Sequence, residues 1–93
     1  MTTEQILAMV KTDLGISTTT RYDDRLKQNI ETAKIEIERE GATLDLDNID
    51  HVNIVAMYAE WLWRRRDTGS GMPRMIRYAL NNLVFSQKMA GGA

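Results

Sequence analysis

The stretch Ile49 to Arg66, IDHVNIVAMYAEWLWRRR, constrains the fold most, because it is the only segment apolar enough to be packed on more than one side. At about 100° per residue, Val52, Val55, Ala56, Ala59, Leu62 and Trp63 share one broad sector with Ile49, the pattern of a core-facing helix. Ile54, Met57, Tyr58 and Trp61 form a second apolar face roughly opposite, and Asn53, Glu60 and Arg64 fill most of the narrow gap on one side. A helix that is hydrophobic nearly all round must be buried on both faces, so it needs two neighbours. In a chain of 93 residues, one of them can belong to another molecule.

The rest of the periodicity predicts helices around this one. Thr2 or Thr3, followed by Glu4 and Gln5, starts a short helix with the stripe Ile6, Leu7, Met9, Val10 and Leu14, which Gly15 stops. Ile16 to Thr20 is a connector, since its β-branched and hydroxyl residues disfavour helix, and Thr20 with Asp23 resembles a capping box. From about Tyr22 to Glu40, Leu26, Ile30, Ala33 and Ile37 fall in one narrow stripe. Lys27 with Glu31 and Lys34 with Glu38 are i,i+4 pairs on its charged side. Each adds only about 0.2–0.5 kcal/mol, so the packed stripe must hold this helix. Gly41 suits the position just past its end, and Leu44 and Leu46 are expected to tuck under the bundle.

Asp47 or Asn48 can cap the central helix, with Asp50 in its first turn and Arg64, Arg65 and Arg66 in its last, both favourable to the helix dipole. Asp67 to Gly71 is a break, and Pro73 takes the first position of a last helix. There Ile76, Ala79, Leu80 and Leu83 form one face, while Met75, Tyr78, Phe85 and Met89 gather on another; Ala90 to Ala93 is expected to fray. No segment alternates as a strand does and no Asn-Gly turn occurs. The chain reads as all-α, a small bundle of about four helices forming a single domain over residues 1–93.

Composition narrows the chemistry. With 43% hydrophobic and 27% charged residues the chain should fold, and a formal charge of -1 argues against a uniformly basic, nucleic-acid-gripping surface. Without cysteine there is no disulfide, cysteine-based zinc site or thiol nucleophile. The longest apolar run, Ile54 to Ala59, is far below the roughly 20 residues of a membrane span. The first residues carry no basic leader or cleavage site, so synthesis in the cytoplasm is expected.

His51 is the only histidine, and a helical neighbour such as Asp50 does not face it, so a structural role outweighs a catalytic one. Asp45, Asp47, Asn48 and Asp50 resemble the start of a calcium loop, but Asp50 stands where glycine is required and Ala56 where a bidentate glutamate is needed. Capping and solvation explain these carboxylates better. GSGMP lacks the spacing and lysine of a phosphate loop. Arg64, Arg65 and Arg66 with Arg21, Arg74 and Arg77 are the one basic cluster, although consecutive arginines point in different directions around a helix. No catalytic residue, cofactor or metal site is therefore expected. Trp63 reads as core, whereas Trp61 is either an interface anchor or is covered by the first helix.

A charged helix ending IEIEREG, the loop LDLDNID, and then VAMYAEWLWRRRDTGSGMPRMIRYALNNLVF resemble the small head-tail connector (head-completion, adaptor) proteins of long-tailed bacteriophages. The resemblance runs from about Tyr22 to Phe85. It is carried by Tyr58, Trp61, Trp63, Arg64 and Arg65, the short polar turn, and the restart from Met72 to Ile76. It implies a non-enzymatic, cofactor-free virion subunit that assembles as a ring, expected to be dodecameric, beneath the portal protein. Such a ring extends the DNA channel without sequence-specific binding and docks the next head-completion or tail protein, while the free protein can be a monomer.

On this reading the subunit interface is drawn from Ile54, Met57, Tyr58, Trp61, Met75, Tyr78, Phe85 and Met89. Arg64, Arg65, Arg66 and Arg74 are expected as polar contacts to acidic groups of a neighbour. The alternative is a small helix-turn-helix-type DNA-binding phage protein, a regulator or packaging subunit, whose reading edge would be Arg74, Arg77, Asn81 and Gln87.

Overall fold

The structure is a computed structural model that describes residues 1–69 and 71–90, with the side chains of Asp67 and Thr68 left aside. Ser70 of the expected break and most of the expected frayed end, residues 91–93, lie outside the described residues. Four helices follow one another: α1 (Thr3–Leu14), α2 (Asp23–Arg39), α3 (Ile49–Thr68) and α4 (Arg74–Ala90). Among the described residues there is no strand, and the chain is a small all-α bundle.

Local chemistry sets the ends. Thr2 and Gln5 form a reciprocal capping box at the start of α1, and Gly15 closes it in the left-handed region at φ 74°. Asn48 caps α3 by accepting the Asp50 N–H at 2.9 Å. The expected box at Thr20 and Asp23 does not form. Tyr22 occupies the capping position with no side-chain bond, and Asp23 instead meets Lys11 of α1 at 2.9 Å. Pro73 sits one position earlier than expected, its carbonyl accepting the N–H groups of Ile76 and Arg77 at the start of α4.

α1 runs antiparallel to α2, as three contacts in reverse order show: Lys11 with Asp23, Glu4 with Lys27, and Thr3 with Lys34. These contacts replace the expected i,i+4 pairs within α2. Lys27 reaches Glu4 at 2.9 Å, and Lys34 divides its bonds between Thr3 at 2.8 Å and Glu31 at 3.0 Å. A neighbouring helix within reach offers the lysines a partner on the other element. The stripe Leu26, Ile30, Ala33 and Ile37 is fully buried, as its spacing predicts.

α3 is the shared wall of the molecule. Val52, Val55, Ala56 and Ala59 are buried in the core that also holds α1 and α2 residues. Ile54, Tyr58 and Trp61 are buried as well, on the side that α4 and the turn before it cover: Ile54 borders Ala79 and Leu83, and the Trp61 Nε1–H donates to the Gly71 carbonyl at 3.1 Å. Both neighbours that the central helix needs are therefore elements of its own chain.

Gly41 holds φ 111° between α2 and the loop, where a Cβ would lie 3.7 Å from Val84. Space is adequate, so the cost of a side chain there is backbone strain. Gly41→Ala is expected to lower stability by about 1 kcal/mol or somewhat more, read as a fall in melting temperature.

Candidate interaction surface

α4 carries the largest unfilled demand for contact. Its inner face, centred on Ile76 and Leu80, is buried against α3. Its outer face holds Met75, Tyr78, Phe85 and Met89 at 72%, 59%, 65% and 67% exposure. With exposed Asn82 between them these residues recur at steps of three and four, the spacing of a single seam along a helix. Seated 14 residues apart, the end members are about 21 Å from one another along the axis. Scattered apolar residues on a surface are ordinary, but an aligned stripe of Met, Tyr and Phe has the composition of protein interfaces.

Of the eight expected interface residues, the structure thus keeps Met75, Tyr78, Phe85 and Met89 on one surface. Met57 is half-buried at its edge, sharing a depression of about 160 Å³ with Met75 and Ile76. Ile54, Tyr58 and Trp61 are corrected: at 7%, 7% and 9% exposure they belong to this chain's own interior. Hydrophobic periodicity identifies a face that must be covered but not the element that covers it, and here α4 does so.

Of the two roles expected for Trp61, interface anchor or cover by the first helix, neither holds: it is buried under α4 and the turn before it, while Trp63 packs at the edge of the core. Trp61 packs edge-on to Tyr58 with ring centroids 5.4 Å apart, under the Arg65 guanidinium at 5.0 Å. Trp63 is only half-buried, wedged against Tyr22 and lying under Arg66 at 3.6 Å. The sequence places Ile49 in the core sector, yet it is 57% exposed at the first turn of α3.

The arginines do not converge as the sequence reading grouped them. Arg77 makes a two-pronged bond to Glu40, at 3.0 Å to each oxygen, while Arg21 lies over Tyr22 and Arg65 over Trp61. Arg25, which no sequence pattern singles out, joins Arg65 and Arg66 around a shallow concavity between α2 and α3. Only the packing of α2 on α3 reveals that grouping. Arg64 and Arg74 are exposed.

The loop residues with metal or catalytic connotations serve the backbone. His51 Nδ1 accepts the Asp45 N–H at 2.9 Å, and Asp45 Oδ1 accepts the Asp47 N–H at 3.0 Å. Among the described residues no three His, Cys, Asp or Glu side chains are grouped to hold a metal ion, and no helix is long and apolar enough to cross a membrane.

One titratable group lies where the sequence suggested only a polar gap. Glu60 is 7% exposed, its Oε2 has no hydrogen-bond partner, and the Asp13 carboxyl of α1 is its hydrogen-bonding neighbour. Burial first, then the Asp13 bond and charge, push its pKa up to about 8 against the pull of Arg64. Comparison with known proteins adds no relative, since no family model, no curated protein and no solved structure matches the chain.

Proposed function

We propose that this chain is a structural subunit that works by assembly: a head-tail connector of a long-tailed bacteriophage. It forms a ring under the portal, prolongs the DNA channel, and docks the next head-completion or tail protein. On this reading it is made in the host cytoplasm and ends in the virion, and it performs no catalysis. The observation that carries the reading is the aligned, exposed Met75-Tyr78-Phe85-Met89 face of α4, a surface that calls for a protein partner. The near-neutral charge supports it too, because a channel must pass DNA without gripping it. The resemblance of the segment Tyr22 to Phe85 supplies the specific setting.

The DNA-reading alternative loses much of its edge. Arg77 is engaged by Glu40, and Gln87 exchanges bonds of 2.7 Å with both the N–H and the carbonyl of Thr43. Exposed apolar residues occupy the outward surface that a recognition helix would fill with polar groups.

Electron microscopy of the concentrated protein tests the reading, with closed rings around an open channel as the expected result. Two-fold dimers as the terminal assembly, or tight duplex-DNA binding that collapses between low and physiological salt, would overturn it.

A further inference from the structure

Where α2 meets the end of α3, a concavity of about 350 Å³ is lined by Arg25, Gln28, Asn29 and Thr32 from α2 and by Arg65 and Arg66 from α3, with no Asp or Glu among them. Leu62 is the one apolar side chain of the lining. Every other lining group can donate a hydrogen bond, and the three arginines carry full positive charges.

Helical spacing builds this surface. Residues 25, 28, 29 and 32 recur at steps of three and four, so they share one face of α2 and extend over about 10 Å of its axis. Residues 62, 65 and 66 do the same on α3. Arg65 is held over the Trp61 ring at 5.0 Å, and Arg66 over the Trp63 ring at 3.6 Å, with one N–H donating to the Trp63 carbonyl at 2.7 Å. Stacking engages the flat face of a guanidinium and fixes its plane without consuming N–H donors.

The positive charge is not cancelled on the spot. Arg25 and Arg65 are exposed and enter no ion pair among the described residues. The nearby acids of α2 are paired or turned aside. Glu36, one turn beyond Thr32 on the same face, pairs with Arg39 at 2.8 Å, and Glu31 pairs with Lys34 at 3.0 Å. Asp24 lies about 100° from Arg25 around the helix, on the side of Lys27.

Shape and chemistry together select the ligand. A small-molecule pocket encloses most of its ligand within largely apolar walls, whereas this concavity is shallow and open. A protein partner needs an apolar centre to its interface, which Leu62 alone does not make. A strip of hydrogen-bond donors and guanidinium groups suits a run of phosphates, because nucleic-acid interfaces are more polar and much more basic than protein ones.

We infer that the Arg25-Arg65-Arg66 concavity contacts the phosphate backbone of duplex DNA without reading its bases. The inference rests on the connector reading for its setting, where it turns the groove between α2 and α3, and not the seam of α4, towards the channel. Three cations neutralise at most about three phosphates, so the contact guides DNA and still lets it pass.

The test is fluorescence anisotropy of a short labelled duplex across a salt series, with circular dichroism verifying that the variants keep the wild-type helicity. At low salt the wild type is expected to bind two duplexes of unrelated sequence weakly and equally. The logarithm of its affinity should fall against the logarithm of salt concentration with a slope of about −2.7, so that a fourfold rise in salt costs roughly 40-fold in affinity. Arg25→Gln and Arg65→Gln should each flatten the slope by about 0.9. Arg74→Gln, outside the concavity, should leave it unchanged. A wild type that does not bind at low salt, or a slope that Arg74→Gln flattens as much as Arg25→Gln does, would overturn the site. A marked preference for one duplex would overturn contact through the backbone alone. Loss of assembly in Arg25→Gln without DNA binding by the wild type would instead give the concavity to an acidic neighbouring protein. Rings in a protein that does not bind DNA would sink this inference and leave the connector reading standing, whereas binding through the concavity without rings would uphold the site and remove its setting.

Discussion

Trp61→Ala is expected to cost about 3–5 kcal/mol of folding stability, the range for removing a large buried aromatic. The indole is 9% exposed, donates to the Gly71 carbonyl at 3.1 Å, and packs edge-on against Tyr58. Truncation opens a void between α3 and α4, leaves the Gly71 carbonyl without that donor, and strips the Arg65 guanidinium of the ring beneath it. In a domain of this size 1 kcal/mol moves the melting temperature by roughly 4–8 °C, so the fall should exceed 10 °C. Urea denaturation of Trp61→Ala beside Phe85→Ala gives the decisive contrast. Phe85 is 65% exposed, and its removal should shift the midpoint little while impairing assembly. Equal stability losses in the two variants would contradict the placement of these rings on opposite sides of the boundary between core and surface.

That contrast marks how far the sequence could be read. Stripes of local origin came through: the four buried α2 residues, the Thr2 start, the Asn48 cap and the glycine ends are all set by spacing and capping within a few residues. What failed depends on which element lies against which. The second apolar face of α3 is as visible in the sequence as the first, but its cover is α4, some twenty residues further along. Lys27 had a suitable partner one turn away and bonded across to α1 instead, and Lys34 shares its bonds between Glu31 and Thr3 of α1, where α1 happens to pass. The seam on α4 was legible because a helix that covers one neighbour leaves its far side determined by its own periodicity. Arg25 was illegible as a companion of Arg65 and Arg66, since no pattern in α2 points to the end of α3.

Glu60 is the strongest case of a property created by packing, and it gives the fold a measurable dependence on pH. Its folded pKa of about 8 lies above the ordinary 4.5, so folding takes up a proton between those values. The sign follows directly. A group that holds its proton more tightly when folded contributes stability that is complete at the acid end of that window, declines as pH rises through it, and is gone above the folded pKa. At up to about 1.4 kcal/mol per pH unit, the loss from pH 5 to 8.5 should be on the order of 2–4 kcal/mol. The groups facing Glu60 are Asp13 from α1 and Arg64 one turn on, with Met57, Pro73, Met75 and Ile76 completing an apolar surround. Ionisation therefore places a carboxylate beside a second acid, with one exposed arginine to offset it. Glu60→Gln keeps the shape and cannot ionise. Melting temperatures of both proteins across this range should diverge, the variant gaining on the wild type steadily towards pH 8.5 while the two nearly coincide at pH 5. Parallel curves would mean that Glu60 is charged in the folded chain at neutral pH, and that α1 and α3 do not bring it against Asp13 as described.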